Sequence, residues 1–318
     1  MLSAFTAMIV GIALLVWGAD RFVDGAASIA RNLRVSPMII GLTIVSLGTS
    51  LPEMIVSAIA AMDGNNNLGI GNVLGSNIAN IGLVLGITAL IIPLSVQSMT
   101  LRREMPVLLL ITMLALLLMA DGDLNFFDGV ILFVGSFLLV AWITRIGLAD
   151  RHDPLVEEFT ESIPDAMPMA RSIMWFIVGL LILIASSRMV VWGAVEIAHY
   201  FGVSDLIIGL TIVAIGTSLP ELVASITGAL KNEADLAIGN VIGSNMFNLL
   251  IVLSMPGLIA PGTFEAQALL RDFPIMIAFT IALFVVSFGR SGGRITRVEG
   301  GLLTSGFIAY LYLLYLQA

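Results

Sequence analysis

Glu53 and Glu221 are carboxylates set in the middle of long apolar stretches. A carboxylate at membrane depth is expensive to bury, and where one persists it marks an ion pathway, a proton relay or a counter-ion. Two of them in matching surroundings suggest one site with two negative charges, which a cation or a proton must compensate. Each closes the hexapeptide GTSLPE, at 48–53 and again at 216–221. Thr49, Ser50 and Ser46 precede Glu53, and Thr217, Ser218 and Ala214 precede Glu221 in the same register. Pro52 and Pro220 lack an amide hydrogen and clash with the carbonyl four residues earlier, which frees the carbonyls of Gly48 and Gly216. Freed carbonyls at membrane depth are tolerated only where they line a cavity or are held by protein. Every group on offer is therefore a hard oxygen: carboxylate, hydroxyl or carbonyl. That donor set suits calcium and sodium, and two glutamates neutralise one calcium.

A second pattern supplies more oxygen. Asn72, Ser76 and Asn80 recur at every fourth position of an apolar segment, as do Asn240, Ser244 and Asn248. Gly71 with Gly75, and Gly239 with Gly243, form small-residue pairs that permit close helix packing. Asn77 and Asn245 fall one position off the stripe and read as structural.

Both patterns recur at one offset. Residues 40–53 read IGLTIVSLGTSLPE and residues 208–221 read IGLTIVAIGTSLPE, with twelve of fourteen positions identical and a spacing of 168. GNVLGSNIAN at 71–80 matches GNVIGSNMFN at 239–248 with the same spacing. The chain thus divides into a first half, 1–147, a linker, 148–171, and a second half, 172–318.

The elements that must position these residues are membrane helices. Of the 318 residues 58% are hydrophobic and 11% charged, against roughly 45–50% and about 25% in soluble proteins. Ten apolar segments are predicted: 2–30, 37–62, 69–93, 105–120, 126–146, 172–199, 205–230, 237–259, 273–289 and 298–317. The first has no Lys or Arg ahead of it and is read as a retained helix. With these spans eleven of the fourteen Lys and Arg residues fall on one side and only Arg271 on the other, Arg21 and Arg188 lying within segments. The bias puts both termini outside and the 148–171 linker in the cytoplasm. Five spans per half make the halves enter the membrane from opposite sides, the inverted arrangement of secondary transporters, whose sites lie at the midplane where helices are interrupted. The expected fold is an all-α polytopic membrane protein with ten transmembrane helices in two inverted five-helix repeats and broken motif helices.

Composition removes other classes. There are no cysteines and only two histidines, so thiolate and His-rich metal sites are excluded. A net charge of −8 argues against nucleic acid as a partner. Serines near the motifs have no His or Lys at membrane depth to act as their base, which argues against an intramembrane enzyme. The acidic linker (Glu157, Glu158, Glu161, Asp165) lacks calcium-loop spacing and reads as a solvated connector. Asp121, Asp123 and Asp128 read as an external turn. Asp20, Arg21 and Asp24 read as ion-paired near the end of the first segment. Their repeat counterparts offer no shared role, since Arg188 and Trp192 replace the two aspartates.

GTSLPE together with GNVxGSNxxN, twice in one chain, resembles the cation/calcium exchanger superfamily, and in particular its prokaryotic sodium/calcium exchangers. The resemblance spans essentially the whole chain. It implies a 5+5 inverted fold and calcium ligation by Glu53, Glu221, Thr49 and Thr217. It implies sodium sites formed by Ser50, Ser218, Ser76, Ser244, Asn80 and the carbonyls of Ser46 and Ala214. Some sodium-coupled relatives carry an aspartate where this chain has Asn248, so the site has one potential negative charge fewer and potassium co-transport is not expected. The resemblance also implies exchange of Ca2+ for Na+ by alternating access, in a cell membrane, with the lipid bilayer and the two ions as its partners and no cofactor or obligate protein partner. A proton-coupled antiporter of calcium or another divalent ion such as manganese shares the fold and remains the alternative. A passive channel fits broken midplane helices and inverted repeats less well.

Overall fold

Hydropathy and helix-end signals explain the element order seen in a computed structural model, which describes residues 1–95, 101–149, 167–201, 214–288 and 294–317. Helix α1, Leu2–Leu33, is uniformly apolar until Asp20 and ends where Arg34 adopts a left-handed conformation (φ 53°). The Ser36 hydroxyl and Pro37 then start α2, Pro37–Thr49. The expected break falls at Ser50 (φ −80°, ψ 4°), and α3, Leu51–Met62, leaves at 42° to α2. Asn65 caps α4, Asn66–Ile91, by accepting the Leu68 amide at 3.2 Å. Helices α5, Leu101–Met119, and α6, Phe126–Ala149, complete the first half. Between them Asp121 and Asp128 accept backbone amides of the turn, as expected for that acidic cluster.

The second half repeats the plan. Helix α7 is Met169–Tyr200, α8 Ala214–Thr217 and α9 Leu219–Leu230, and the break between α8 and α9 falls at Ser218 (φ −87°, ψ 5°). Helix α10 is Ala234–Ile259. A π-helical turn, Ala268–Asp272, leads into α11, Phe273–Phe288, and α12 is Arg297–Gln317. The first part of the predicted 205–230 segment and most of the acidic linker lie outside the described residues. Among the described residues seven helices are long and apolar enough to cross a membrane, and eight if the bent α2–α3 pair is one span. The protein is a multi-pass membrane protein.

Two short ribbons tie distant parts together. Strand β1, Leu94–Ser95, pairs antiparallel with β4, Arg294–Ile295, and β2, Asp123–Leu124, pairs antiparallel with β3, Gly262–Thr263. Strands β1 and β3 are 168 residues apart, so each ribbon takes one strand from each half.

Helices α4 and α10 are the most buried of the long helices and run through the main apolar core, which includes Leu74, Ile78, Ile81, Ile242, Met246 and Phe247. The other long helices turn much of their surface outward, as lipid contact requires. A second, smaller core lies between α1 and α7 and reaches Ile40, Val45, Ala224 and Leu236. These two helices meet through glycines: a Cβ at Gly25 would lie 2.8 Å from Phe176 Cα, and one at Gly179 2.7 Å from Phe22 Cα. Small residues let the backbones approach, and dispersion rather than hydrophobic exclusion holds such contacts in lipid. Phe22 and Phe176 stack beside them at 4.8 Å.

Candidate cation site

The two helix breaks bring the two carboxylates into one buried space. Glu53 and Glu221 each follow a break by three residues, and each is only 1% exposed. One hydroxyl of the first half reaches across: Ser50 Oγ donates to Glu221 Oε1 at 3.4 Å, while Thr49 Oγ1 donates to Asn240 Oδ1 at 3.0 Å. The Glu221 carboxylate therefore takes a hydroxyl donor from the other half.

The asparagine stripes hold the broken helices in place. Asn72 Nδ2 donates to the Glu53 carbonyl at 3.2 Å and to Ser57 Oγ at 3.1 Å. In the second half Asn240 Nδ2 donates to Ser225 Oγ at 3.4 Å, and its Oδ1 accepts from Thr49 Oγ1 at 3.0 Å. Ser57 and Ser225 were not among the expected site residues, although the 168-residue offset relates them too. Further along, Asn80 Nδ2 donates to Asn245 Oδ1 at 3.1 Å and Asn245 Nδ2 to the Asn77 carbonyl at 3.5 Å. Asn77 and Asn245 thus carry the structural role expected for them and orient Asn80. Both stripes end in π-helical turns, Asn80–Leu85 and Asn248–Val252, which were not foreseen. Such turns widen a helix locally and recur at functional sites.

Several polar atoms here have no hydrogen-bond partner among the described residues. They are Glu53 Oε2, Glu221 Oε2, Ser218 Oγ, Ser244 Oγ, Asn80 Oδ1 and both polar atoms of Asn248. A buried polar atom without a partner costs about 1–3 kcal/mol, and this many in adjacent turns fits a site whose missing partner is a cation. Ser76 is buried on the same stripe. Ser46 points its hydroxyl at the Thr43 carbonyl (3.1 Å), and its own carbonyl accepts the Ser50 amide at 3.0 Å. Ala214 opens α8, and its side chain lies outside the described residues. The Gly216 carbonyl, expected to be free because of Pro220, accepts Ser187 Oγ from α7 at 2.8 Å. Protein thus satisfies one lone pair that the sequence pattern offers to an ion.

Among the described residues the two glycine pairs have different neighbours. Asn240 is buried, and Gly239 and Gly243 press against α2, where a Cβ on either would come within 2.7 Å of the Met38 or Leu42 carbonyl. Asn72 is half-buried, Gly71 is exposed, and no described atom lies within 4 Å of a Cβ placed on Gly71 or Gly75. The close packing expected at both glycine pairs is therefore present at one of them among the described residues.

The model of the sodium/calcium exchanger protein family matches residues 3–145 and 171–316. The chain belongs to that family. Among its relatives, a protein of Alkalimonas amylolytica named as an antiporter, CaxA, is 52% identical over 99% of both chains. The inner membrane protein YrbG of Escherichia coli is 42% identical, covering 99% of this chain and 98% of its own. The sodium/calcium exchanger MaX1 of Methanosarcina acetivorans is 31% identical over 98% of each. A solved structure of the sodium-calcium exchanger NCX_Mj, soaked with Na+ and Sr2+, superposes with a TM-score of 0.84 at 32% identity, covering 98% of both chains. Membership makes this chain a membrane antiporter of the kind that carries calcium and sodium. It also fits the all-oxygen donor set around Glu53 and Glu221.

Proposed function

We propose that this protein exchanges Ca2+ for Na+ by alternating access, with Glu53, Glu221, Thr49 and Thr217 forming the calcium site. Ser50, Ser218, Ser76, Ser244, Asn80, Asn248 and the carbonyls of Ser46 and Ala214 form overlapping sodium sites. One observation carries the reading: two buried carboxylates, each with an oxygen unpartnered among the described residues, and a hydroxyl of the first half bonded to the carboxylate of the second. A cation between them neutralises both charges and draws the two broken helices together. An empty site keeps two uncompensated carboxylates in a low-dielectric space, which resists the change of access and prevents leak.

The fold in this reading is ten spans in two inverted halves, with both termini outside. The exchanged strands of the two ribbons, the paired breaks at Ser50 and Ser218 and the paired π-turns all support it. The decisive experiment is calcium uptake into proteoliposomes, driven separately by an outward sodium gradient and by a pH gradient, with Glu53→Gln alongside. Sodium-driven, mutation-sensitive uptake is expected. Uptake driven by the pH gradient alone would withdraw the sodium sites and make the protein a proton-coupled antiporter.

A further inference from the structure

The turns that follow the two broken helices share one backbone geometry. After α3 come Asp63 (φ −81°, ψ 1°) and Gly64 (φ 73°), and after α9 come Lys231 (φ −88°, ψ 9°) and Asn232 (φ 63°). In each turn a left-handed residue stops the helix, and the residue before it projects from an equivalent place. Lys231 is clamped to α1. Its Nζ lies 2.6 Å from both Asp20 Oδ1 and Asp24 Oδ1 and donates to the Asp20 carbonyl at 3.1 Å. Beside it Arg31 Nη2 meets Glu233 Oε1 at 2.7 Å. These pairs join α1 to the start of α10, on the side where Gly239 packs against Met38.

At the repeat offset Lys231 corresponds to Asp63, and Asp20 corresponds to Arg188 of α7. Both charges change sign, so the attraction between the two positions is retained. Among the described residues neither Asp63 nor Arg188 enters an ion pair, and both are exposed. Asp63 lies in the short turn between α3 and α4. We propose that Asp63 and Arg188 are the second of two alternating ion-pair latches. Lys231 with Asp20 and Asp24 holds one face shut in the state described here. When access switches, those contacts part and Asp63 closes on Arg188 across the opposite face. Partly exposed ion pairs hold weakly, which lets a latch open within a transport cycle. The proposal rests on the alternating-access reading and not on the identity of the driving ion.

The chain has no cysteine of its own, so introduced pairs can be read alone. Asp24→Cys with Lys231→Cys and Asp63→Cys with Arg188→Cys are made in the full-length protein and oxidised in proteoliposomes, and disulfides are scored by loss of maleimide labelling. The first pair is expected to close at rest and the second only during calcium flux, with either disulfide arresting flux until it is reduced. Asp63→Arg is expected to slow uptake about fivefold, the scale of one exposed ion pair, and adding Arg188→Asp is expected to restore it. The double variant keeps both charges, so its recovery separates latch loss from misfolding. Flux without the second disulfide, or an Asp63→Arg defect that Arg188→Asp leaves uncorrected, overturns the latch and leaves the exchange reading intact. No flux under either a sodium or a pH gradient overturns both.

Discussion

Glu53→Gln removes one of two site charges while keeping the shape of the side chain. At 1% exposure Glu53 belongs to the regime of buried ion pairs, where loss of one partner costs about 3–5 kcal/mol, and not to the surface regime of about 0–1 kcal/mol. At about 1.4 kcal/mol per decade, calcium affinity should fall by roughly two to three and a half orders of magnitude. Attraction scales with ion charge, so sodium should lose about half as much free energy per ion. Both affinities can be read from radioactive calcium binding to purified protein, with sodium as competitor. Unfolding temperature supplies the control for misfolding. Without calcium the variant should be at least as stable as the parent, since two like charges no longer face each other. The upward shift that calcium gives the parent should disappear. A variant whose calcium affinity stays within tenfold of the parent, or whose sodium affinity falls further than its calcium affinity, would refute the two-carboxylate argument.

Protons compete with cations for Glu53 and Glu221, so half-saturating calcium should rise as pH falls; a flat profile from mildly acidic to alkaline pH in the uptake assay would contradict this. Gly41→Ala places a Cβ 2.6 Å from the Leu236 carbonyl and should lower stability by about 1–3 kcal/mol through overpacking, measured by thermal unfolding. Asn240→Leu leaves the Thr49 and Ser225 hydroxyls without their partner and should cost about 1–3 kcal/mol, with calcium transport reduced more than in Ser136→Ala, a buried position on α6 away from the site.

The sequence exposed the site because the same chemistry is written in it twice. Glu53 and Glu221 stood out against apolar surroundings, and the helix breaks followed from Gly and Pro at fixed positions. The π-turns at Asn80 and Asn248 have no comparable residue signal, since they arise where backbones widen to accommodate neighbours. The bonds from Ser50 to Glu221 and from Thr49 to Asn240 depend on how the halves pack, which spacing within one half does not encode. Gly216 shows the opposite error: a local rule frees its carbonyl, and Ser187, on a helix far away in sequence, takes it up. Offset comparison at single positions would have revealed more than the motifs did. Arg103-Glu104-Met105-Pro106 and Arg271-Asp272-Phe273-Pro274 are a third related pair, and in the second of them Asp272 accepts from both Arg271 and Tyr310.

The sign reversal between Lys231 and Asp63 bears on what each half could do alone. The hydroxyls and carboxylates at the centre occur in both halves at the same spacing, so two copies of either half, facing each other head to tail, would offer the same groups. The rim would not tolerate such a pair. Two first halves would set Asp20 against Asp63, and two second halves would set Arg188 against Lys231. Repulsion of this kind selects the mixed pairing over both matched ones. On the alternating-latch proposal the two halves are specialised mates, and separately expressed halves should recover function only when one of each is supplied.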